Sequence, residues 1–266
     1  MKIGILVIAT NKYLFHAKNL FDSVIFHAES EIDITFYVFT DDETLGKEMF
    51  QNINGVNAEI IEIEPLSWPE ATLFRYSIVT EHSKRFTNQD ILIYMDADML
   101  IKRKIFGNII DICNKSEMAL VRHPGYWRGS TIKEVTKFYQ ERPKILVKDF
   151  FRQIILGGLG SWENRKLSLA FVPRNKRKKY FCGGIWFGRS KHFLGLCKVL
   201  AKRVDEDYKN DFIAKWHDES HLNWWAVSGC FQELDPRWCY AYELLPRTKE
   251  EPFILAVEKK DHEKTR

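Results

Sequence analysis

Apolar positions in the first hundred residues follow two rhythms in turn. Residues 3–8 and Ile91–Met95 are short runs, apolar at nearly every position, the pattern of strands covered on both faces. Residues 32–39 and 56–63 alternate and also read as strands. Residues 13–26 and 71–86 carry apolar side chains three and four apart, as helices with one buried face do. Thr40-Asp41-Asp42 supplies a helix start. This order predicts an α/β fold with a mostly parallel sheet, whose crevice for a ligand lies at the carboxyl ends of the strands. The second half is less regular. Residues 118–123 read as a strand punctuated by His123-Pro124-Gly125, residues 181–187 as a buried strand, and 193–203 and 218–226 as helices. Residues 144–169, charged at both ends and holding Gly157-Gly158-Leu159-Gly160, read as a lid or a disordered insertion. The expectation is one domain with a smaller subregion in its second half.

With 266 residues, 45% hydrophobic and 29% charged, the chain has an ordinary globular composition and material for a sizeable core. No apolar run approaches the roughly 20 residues that span a bilayer. The first strand begins at once, which leaves no room for a secretory leader. The five cysteines are scattered, odd in number and free of C-x-x-C spacing, against a disulfide framework and a zinc site. A reduced cytoplasm is the expected setting. The net charge of +4 is unevenly spread: Arg174, Lys176, Arg177, Lys178 and Lys179 form one basic cluster, and Lys259, Lys260, Lys264 and Arg266 a second. Both suit phosphate, and both suit a solvated loop and a frayed end. With no recognisable nucleic-acid module, no nucleic acid is expected as partner.

Candidate chemistry begins at Asp96-Ala97-Asp98, which closes the run Ile91–Met95 at the edge where ligands bind. Strand alternation would turn both carboxylates to one side, and two hard oxygen ligands suit Mg²⁺ or Mn²⁺ with positions left for diphosphate oxygens. The implied ligand is a nucleotide diphosphate carrying a sugar. A turn or a helix cap uses the same residues. Trp216-His217-Asp218-Glu219-Ser220-His221-Leu222-Asn223 gathers an aromatic, two histidines and two carboxylates at a helix start. Asp218 can be its N-cap with Glu219 in the first turn. Equally, a carboxylate beside a flat apolar ring can face a sugar carbon. Cys182-Gly183-Gly184 interrupts an aromatic strand that glycine weakens, and so marks a bulge or a close approach of backbone or ligand. His123 can contact a hydroxyl or bond locally, and Tyr13 can stack on a base or pack on its own helix.

Taken in order, these segments resemble glycosyltransferase family 6, the family of the histo-blood-group A and B transferases, the α-1,3-galactosyltransferases, the Forssman synthase and bacterial relatives. The resemblance runs from Ile3-Gly4-Ile5 and Asn11-Lys12-Tyr13 through Tyr37-Val38-Phe39-Thr40-Asp41, Trp68, Arg75 and Asp96-Ala97-Asp98. It continues with His123-Pro124-Gly125-Tyr126, Ala170-Phe171-Val172-Pro173, Cys182-Gly183-Gly184 and the octapeptide, and ends at Val257-Glu258-Lys259. It implies a GT-A fold, a Rossmann-like mixed sheet with a small acceptor-binding subregion. A nucleotide-binding half (1–100) would precede a donor-sugar and acceptor half (101–250) with the insertion 144–169, and a tail (251–266) that closes on the diphosphate. It implies retaining transfer of N-acetylgalactosamine or galactose from a UDP-sugar to the 3-OH of a galactoside, in α-1,3 linkage, with Mn²⁺ or Mg²⁺.

By position, Tyr13 resembles the residue stacked on uracil, with Ala9 and Thr10 in the same pocket. Asp96, Ala97 and Asp98 resemble the metal and diphosphate site, Arg75 and Cys182-Gly183-Gly184 the donor-sugar contacts, and Lys259 the tail lysine on the diphosphate. His123, Trp216 and Asp218 resemble acceptor and sugar contacts, and Glu219 the proposed nucleophile. Gly184 lacks the β-carbon that would crowd a 2-acetamido group, which makes N-acetylgalactosamine the expected donor sugar. Many bacterial relatives carry N-x-N and work without metal, so the two aspartates favour metal dependence. The insertion 144–169 has no counterpart in the mammalian enzymes, and Tyr240-Ala241-Tyr242-Glu243 lacks their W-D pair. Animal members carry a membrane anchor. This start at the first catalytic strand suggests a bacterial or phage protein of the cytoplasm, free or peripheral to a membrane. A transferase of another sugar nucleotide and linkage, or a silent carbohydrate- or nucleotide-binding module, remain alternatives on the same fold.

Overall fold

The apolar runs at residues 3–8 and 91–95 become neighbouring strands at the centre of the fold, with Ile3 opposite Ile91 and Leu6 opposite Tyr94. The computed structural model describes residues 1–53, 55–67, 69–241, 243 and 251–257. Among them the first half runs β1 (Lys2–Ile8), α1 (Tyr13–His27), β2 (Asp33–Thr40), α2 (Glu43–Met49), β3 (Val56–Glu62), α3 (Glu70–Leu73), α4 (Arg75–Glu81) and β4 (Ile91–Met95). Then follow β5 (Met99–Ile101), α5 (Phe106–Lys115), β6 (Met118–Arg122), α6 (Ile132–Glu141), α7 (Pro143–Leu156) and β7 (Phe181–Arg189). The chain continues with α8 (Ser190–Lys209), α9 (His217–Ala226), β8 (Gln232–Leu234) and β9 (Ile254–Ala256).

Among the described residues seven strands form one sheet in the order β3-β2-β1-β4-β7-β6-β8, in which β7 alone runs against its neighbours. The chain steps outward from β1 through β2 to β3, then returns to place β4 on the other side of β1. The point where strand order reverses, between β1 and β4, is where open α/β sheets bind ligands. Alternate residues of each central strand enter different cores. Ile3, Ile5 and Val7 of β1 and Ile91, Ile93 and Met95 of β4 pack under α1 and α5, whereas Leu6, Leu92 and Tyr94 pack under α4 and α8. Each fully buried side chain of this size contributes roughly 1.5–3 kcal/mol, which is why continuous apolar strands take the centre. A second, two-stranded pairing joins β5 to β9, and the Val257 amide donates to the Asp98 carbonyl at 2.9 Å. Residues 254–257 therefore run beside the segment that follows the Asp96-Ala97-Asp98 tripeptide.

Four expectations need correction. The tripeptide is a turn rather than strand, so alternation does not orient its carboxylates; Ala97 is buried and both aspartates are half-buried. The helix expected over 71–86 is distorted at Phe74, whose φ of −94° and ψ of 11° depart from helical values, and it tightens to a 3-10 turn at Ser83–Phe86. Asp218 is not an N-cap: Trp216 holds that place with no side-chain cap, and the Ser220 hydroxyl accepts from the Trp216 amide at 2.9 Å. The stretch 144–169 is not disordered throughout, because its first half is α7, which ends at Gly157 with φ +77°, a left-handed conformation glycine adopts without strain. Lys259 and Trp68 lie outside the described residues.

A candidate active site around Arg75

Arg75, the first residue of α4, is 4% exposed and is the hub of the site. Its Nη1 donates to the Gly183 carbonyl at 2.8 Å and lies 3.2 Å from Asp218 Oδ2, while Nη2 lies 3.3 Å from Asp96 Oδ1. Nε donates to the Thr72 carbonyl at 3.2 Å, and the guanidinium sits 4.6 Å over the Tyr94 ring. The Tyr94 hydroxyl donates to Asp96 Oδ1 at 3.3 Å. One buried cation is thus shared by two carboxylates from distant parts of the sequence. Burial alone would lower the guanidinium pKa, but the combined attraction of Asp218, Tyr94, Asp96 and Tyr76 outweighs it and holds Arg75 firmly protonated.

Asp218 is equally buried, and its Oδ2 accepts no hydrogen bond among the described residues. Burial pushes this carboxyl up to about 7, against Arg75 and with the help of the negative charges of Asp96 and Glu219. The backbone that aims Asp218 is itself strained: His217 has φ +43°, rare for a residue with a β-carbon, and its Nδ1 lies 3.1 Å from the Thr72 hydroxyl. Glu219 follows in the first turn of α9, and its Oε2 accepts the Gly183 amide at 2.8 Å. Asn223, one turn further, donates to the Glu219 carbonyl at 2.9 Å and exchanges two hydrogen bonds of 2.8 Å with the Phe181 backbone. It fastens the helix to the start of β7.

The glycine pair makes this closeness possible. A β-carbon on Gly183 would stand 3.0 Å from Asp218 Oδ2, and one on Gly184 would stand 2.8 Å from Asp96 Oδ2 and 2.7 Å from Met99 Cε. The Gly184 carbonyl accepts the Asp96 amide at 2.9 Å. The close-approach reading of these glycines therefore holds, and the register shift expected of a bulge is present too, between Leu120 and Arg122 of the adjoining β6. Cys182 does not join them: it packs in the core against Cys239, and all five cysteines are free.

At the nucleotide end, β1 closes at Ile8 and the Ala9 amide donates to the Phe39 carbonyl at 2.8 Å. Asn11 turns the chain with φ +54°, and its amide donates to Asp41 Oδ1 at 2.8 Å. That turn leaves Tyr13 part-exposed at the head of α1 and Thr10 buried, at the reversal point beside β4. A cleft of about 690 Å³ opens nearby past the ends of β2 and β3, lined by Asp41, Glu62, Leu66, Ser77 and His82 among others. At the other end, His123 Nδ1 accepts the Gly125 amide at 3.0 Å, the local bond weighed from sequence. Its ring lies 5.0 Å from Tyr126 and 5.8 Å from Tyr180, and burial and nearby Glu219 push the Tyr180 phenol well up. Trp216 is 50% exposed.

The structure brings together Arg75, Asp96, Gly183, Gly184, Asp218 and Glu219. Sequence reasoning missed Thr72, Tyr76, Tyr94 and Asn223, although Asn223 stood in the octapeptide one helical turn from Glu219. Tyr76 donates to the Asp218 carbonyl at 3.2 Å, a bond no local pattern announces. Among the described residues no three His, Cys, Asp or Glu side chains gather as metal ligands. Asp96 and Asp98 are half-buried carboxylates at a strand end, a donor set that fits a hard divalent cation whose other ligands come from a bound diphosphate. Among the described residues no helix is long and apolar enough to cross a membrane.

The profile of glycosyltransferase family 6 matches residues 1–146 and 159–266, leaving out only a stretch that begins inside α7. The chain is 26% identical over 230 residues to the O-antigen biosynthesis glycosyltransferase WbnI of Escherichia coli, covering 85% of this chain and 82% of that protein. It is 25% identical over 226 residues to the histo-blood group ABO system transferase 1 of Rattus norvegicus, and 23% identical over 226 residues to the globoside alpha-1,3-N-acetylgalactosaminyltransferase 1 of Gallus gallus. These matches cover 83% and 84% of this chain but only 55% and 57% of the animal proteins, so the chain spans little more than half their length.

Proposed function

The chain belongs to glycosyltransferase family 6, and from that premise we propose that it moves N-acetylgalactosamine, or galactose, from a UDP-sugar to the 3-OH of a galactoside acceptor with retention, in α-1,3 linkage. The mixed sheet is consistent with a GT-A-like fold. The observation that carries the reading is the Arg75 bridge. It ties a carboxylate of the tripeptide and a carboxylate of the octapeptide by ion pairs, and the glycine backbone by a hydrogen bond, to one guanidinium near the reversal point of the sheet.

In this reading Tyr13 stacks on uracil, with Ala9 and Thr10 beside it. Asp96 and Asp98 would hold Mn²⁺ or Mg²⁺ together with the diphosphate, and Lys259 would offer the diphosphate a positive charge. The cation, when bound, offsets the charge that develops on the departing UDP. Arg75 and the glycine pair position the donor sugar, and Glu219, held by the Gly183 amide, presents negative charge toward the anomeric carbon. Asp218, Trp216 and His123 face the acceptor. Retention is served either by a glycosyl–Glu219 intermediate or by a front-face route in which Glu219 supplies electrostatic support. Gly184, lacking a β-carbon, lets the Asp96 carboxylate come close to the backbone of β7, and the name of the chicken relative supports N-acetylgalactosamine as the donor sugar.

The test is UDP release with UDP-N-acetylgalactosamine and UDP-galactose against a panel of galactosides that includes lactose and fucosylated galactose, with the anomeric configuration of the product read by NMR. Transfer with retention to the 3-OH is expected. A β-linked product, or turnover confined to another sugar nucleotide, defeats the proposal.

A further inference from the structure

Helix α7 is built inside out. The sole buried residue of its fourteen is Asp149, which receives Arg128 Nε at 2.5 Å and Nη2 at 3.2 Å, and the Tyr139 hydroxyl at 3.2 Å. Arg152 sits on the same inner side, 5.3 Å over the Tyr126 ring. The opposite side carries Leu146, Val147, Phe150, Phe151, Ile154 and Ile155, each between 49 and 62% exposed. Val147, Phe150, Phe151 and Ile154 stand at i, i+3, i+4 and i+7, one continuous row. Single exposed apolar residues are ordinary, but six on one helix face mark a surface that something covers. The family profile does not extend over residues 147–158, so most of this face is not part of the shared fold.

The charges around the row identify its partner. Residues 143–179 contain ten basic residues and two acids, Asp149 and Glu163, both buried and paired with arginines. Lys144 and Lys148 border the row on the helix itself and are exposed. At its carboxyl end, Lys166 and Arg174 share a shallow cleft with Ile155, and Arg174 and Arg177 donate to the Ile154 and Leu156 carbonyls. These bonds hold the basic loop, with exposed Lys176 and Lys178, against the helix. A second copy of the chain would bring the same positive charge to such a contact and repel it.

We propose that α7 lies flat on an anionic membrane surface, its aromatic and aliphatic row at the boundary of headgroups and acyl chains and its basic border against lipid phosphates. An amphipathic helix with phenylalanines on one face and lysines at its edge binds in this way, and an anionic surface attracts each basic residue near it. The inference is independent of which sugar the protein transfers.

The test is co-sedimentation of the full chain with vesicles of phosphatidylcholine and phosphatidylglycerol, and of phosphatidylcholine alone. Salt dependence is measured as well, with UDP release toward a soluble acceptor as a control for folding. Binding to the anionic vesicles is expected, weakened about tenfold in the double variant Phe150→Ser/Ile154→Ser and again in Lys144→Glu/Lys148→Glu, with soluble-acceptor turnover unchanged. Equal binding to both vesicles, or wild-type binding by the serine variant, overturns the proposal. A concentration-dependent dimer in sedimentation velocity that the serine variant abolishes would assign the face to a second copy instead.

Discussion

Replacing Arg75 with methionine keeps much of the side-chain volume and removes the cation that bridges Asp96 and Asp218. Asp218 is buried, so it would be left as an uncompensated charge, and Gly183 would lose the donor to its carbonyl. Breaking a buried pair from one side costs about 3–5 kcal/mol. For a domain of this size each kcal/mol lowers Tm by about 2 °C, so a fall of about 6–10 °C is expected. The fall should be larger at pH 8 than at pH 6, because the Asp218 carboxyl, already pushed up to about 7 by burial, takes a proton at the lower pH and removes the charge. Asp218→Asn in the same chain should restore most of the loss, since the amide needs no counter-charge. Calorimetry on wild type, both single variants and the double variant gives the coupling directly. If Arg75→Met melts within 1 °C of wild type at pH 8, or if Asp218→Asn adds a further loss rather than offsetting the first, the shared-cation account is wrong.

Three further outcomes are expected. Glu219→Gln keeps shape and an acceptor for the Gly183 amide but removes charge, and kcat should fall by about 10²-fold or more with donor binding little changed; turnover within threefold of wild type would return Glu219 to a first-turn helix carboxylate. Gly184→Ala places a β-carbon 2.8 Å from Asp96 Oδ2, so it should weaken activation by Mn²⁺ and lower kcat/KM for UDP-N-acetylgalactosamine more than for UDP-galactose, and equal losses for the two donors would contradict the role given to this glycine. Buried His221 is pushed down to about 3, chiefly by burial, so the unfolded chain takes its proton first and stability is lost as pH falls from about 6.5; Asp218 is shifted the other way and favours the fold at low pH, so Asp218→Asn should make Tm rise more steeply between pH 4 and 7, and an unchanged slope would remove that carboxyl from the balance.

The sheet was legible because its central strands are apolar at almost every position, and the tripeptide stood out because it ends one of them. What the sequence hid depends on contacts over long separations. Arg75 lies in an unbroken helical rhythm, and nothing around it announces that its guanidinium reaches Asp218, Gly183 and Tyr94. The bend at Phe74 is invisible for the same reason, since apolar spacing continues through it. In residues 144–156, charged flanks and the following glycine run mask a helix whose apolar side faces out, contrary to the assumption that apolar positions face a core. Asp218 reads as a cap from its place before an apolar run, but Ser220 reaches back to the Trp216 amide, and so the carboxyl is free to turn toward Arg75.

Strand β7 is hydrogen-bonded to β4 on one side and to β6 on the other, and at the glycine pair the Gly183 amide, the Gly183 carbonyl and the Gly184 carbonyl are engaged by Glu219, Arg75 and Asp96. The floor of the proposed sugar pocket therefore behaves as a fixed template. With three of its peptide groups tied to side chains and backbone of the site, it resists flexing around a different hexose, so selectivity is more readily rewritten by adding or removing a few side-chain atoms at its edge. Under the proposed roles, that separates two evolutionary tasks. The network that supports the reaction can stay intact while a single substitution on the template changes which sugar is accepted, and descendants of such a protein would be expected to diverge in the glycans they build faster than in the way they build them.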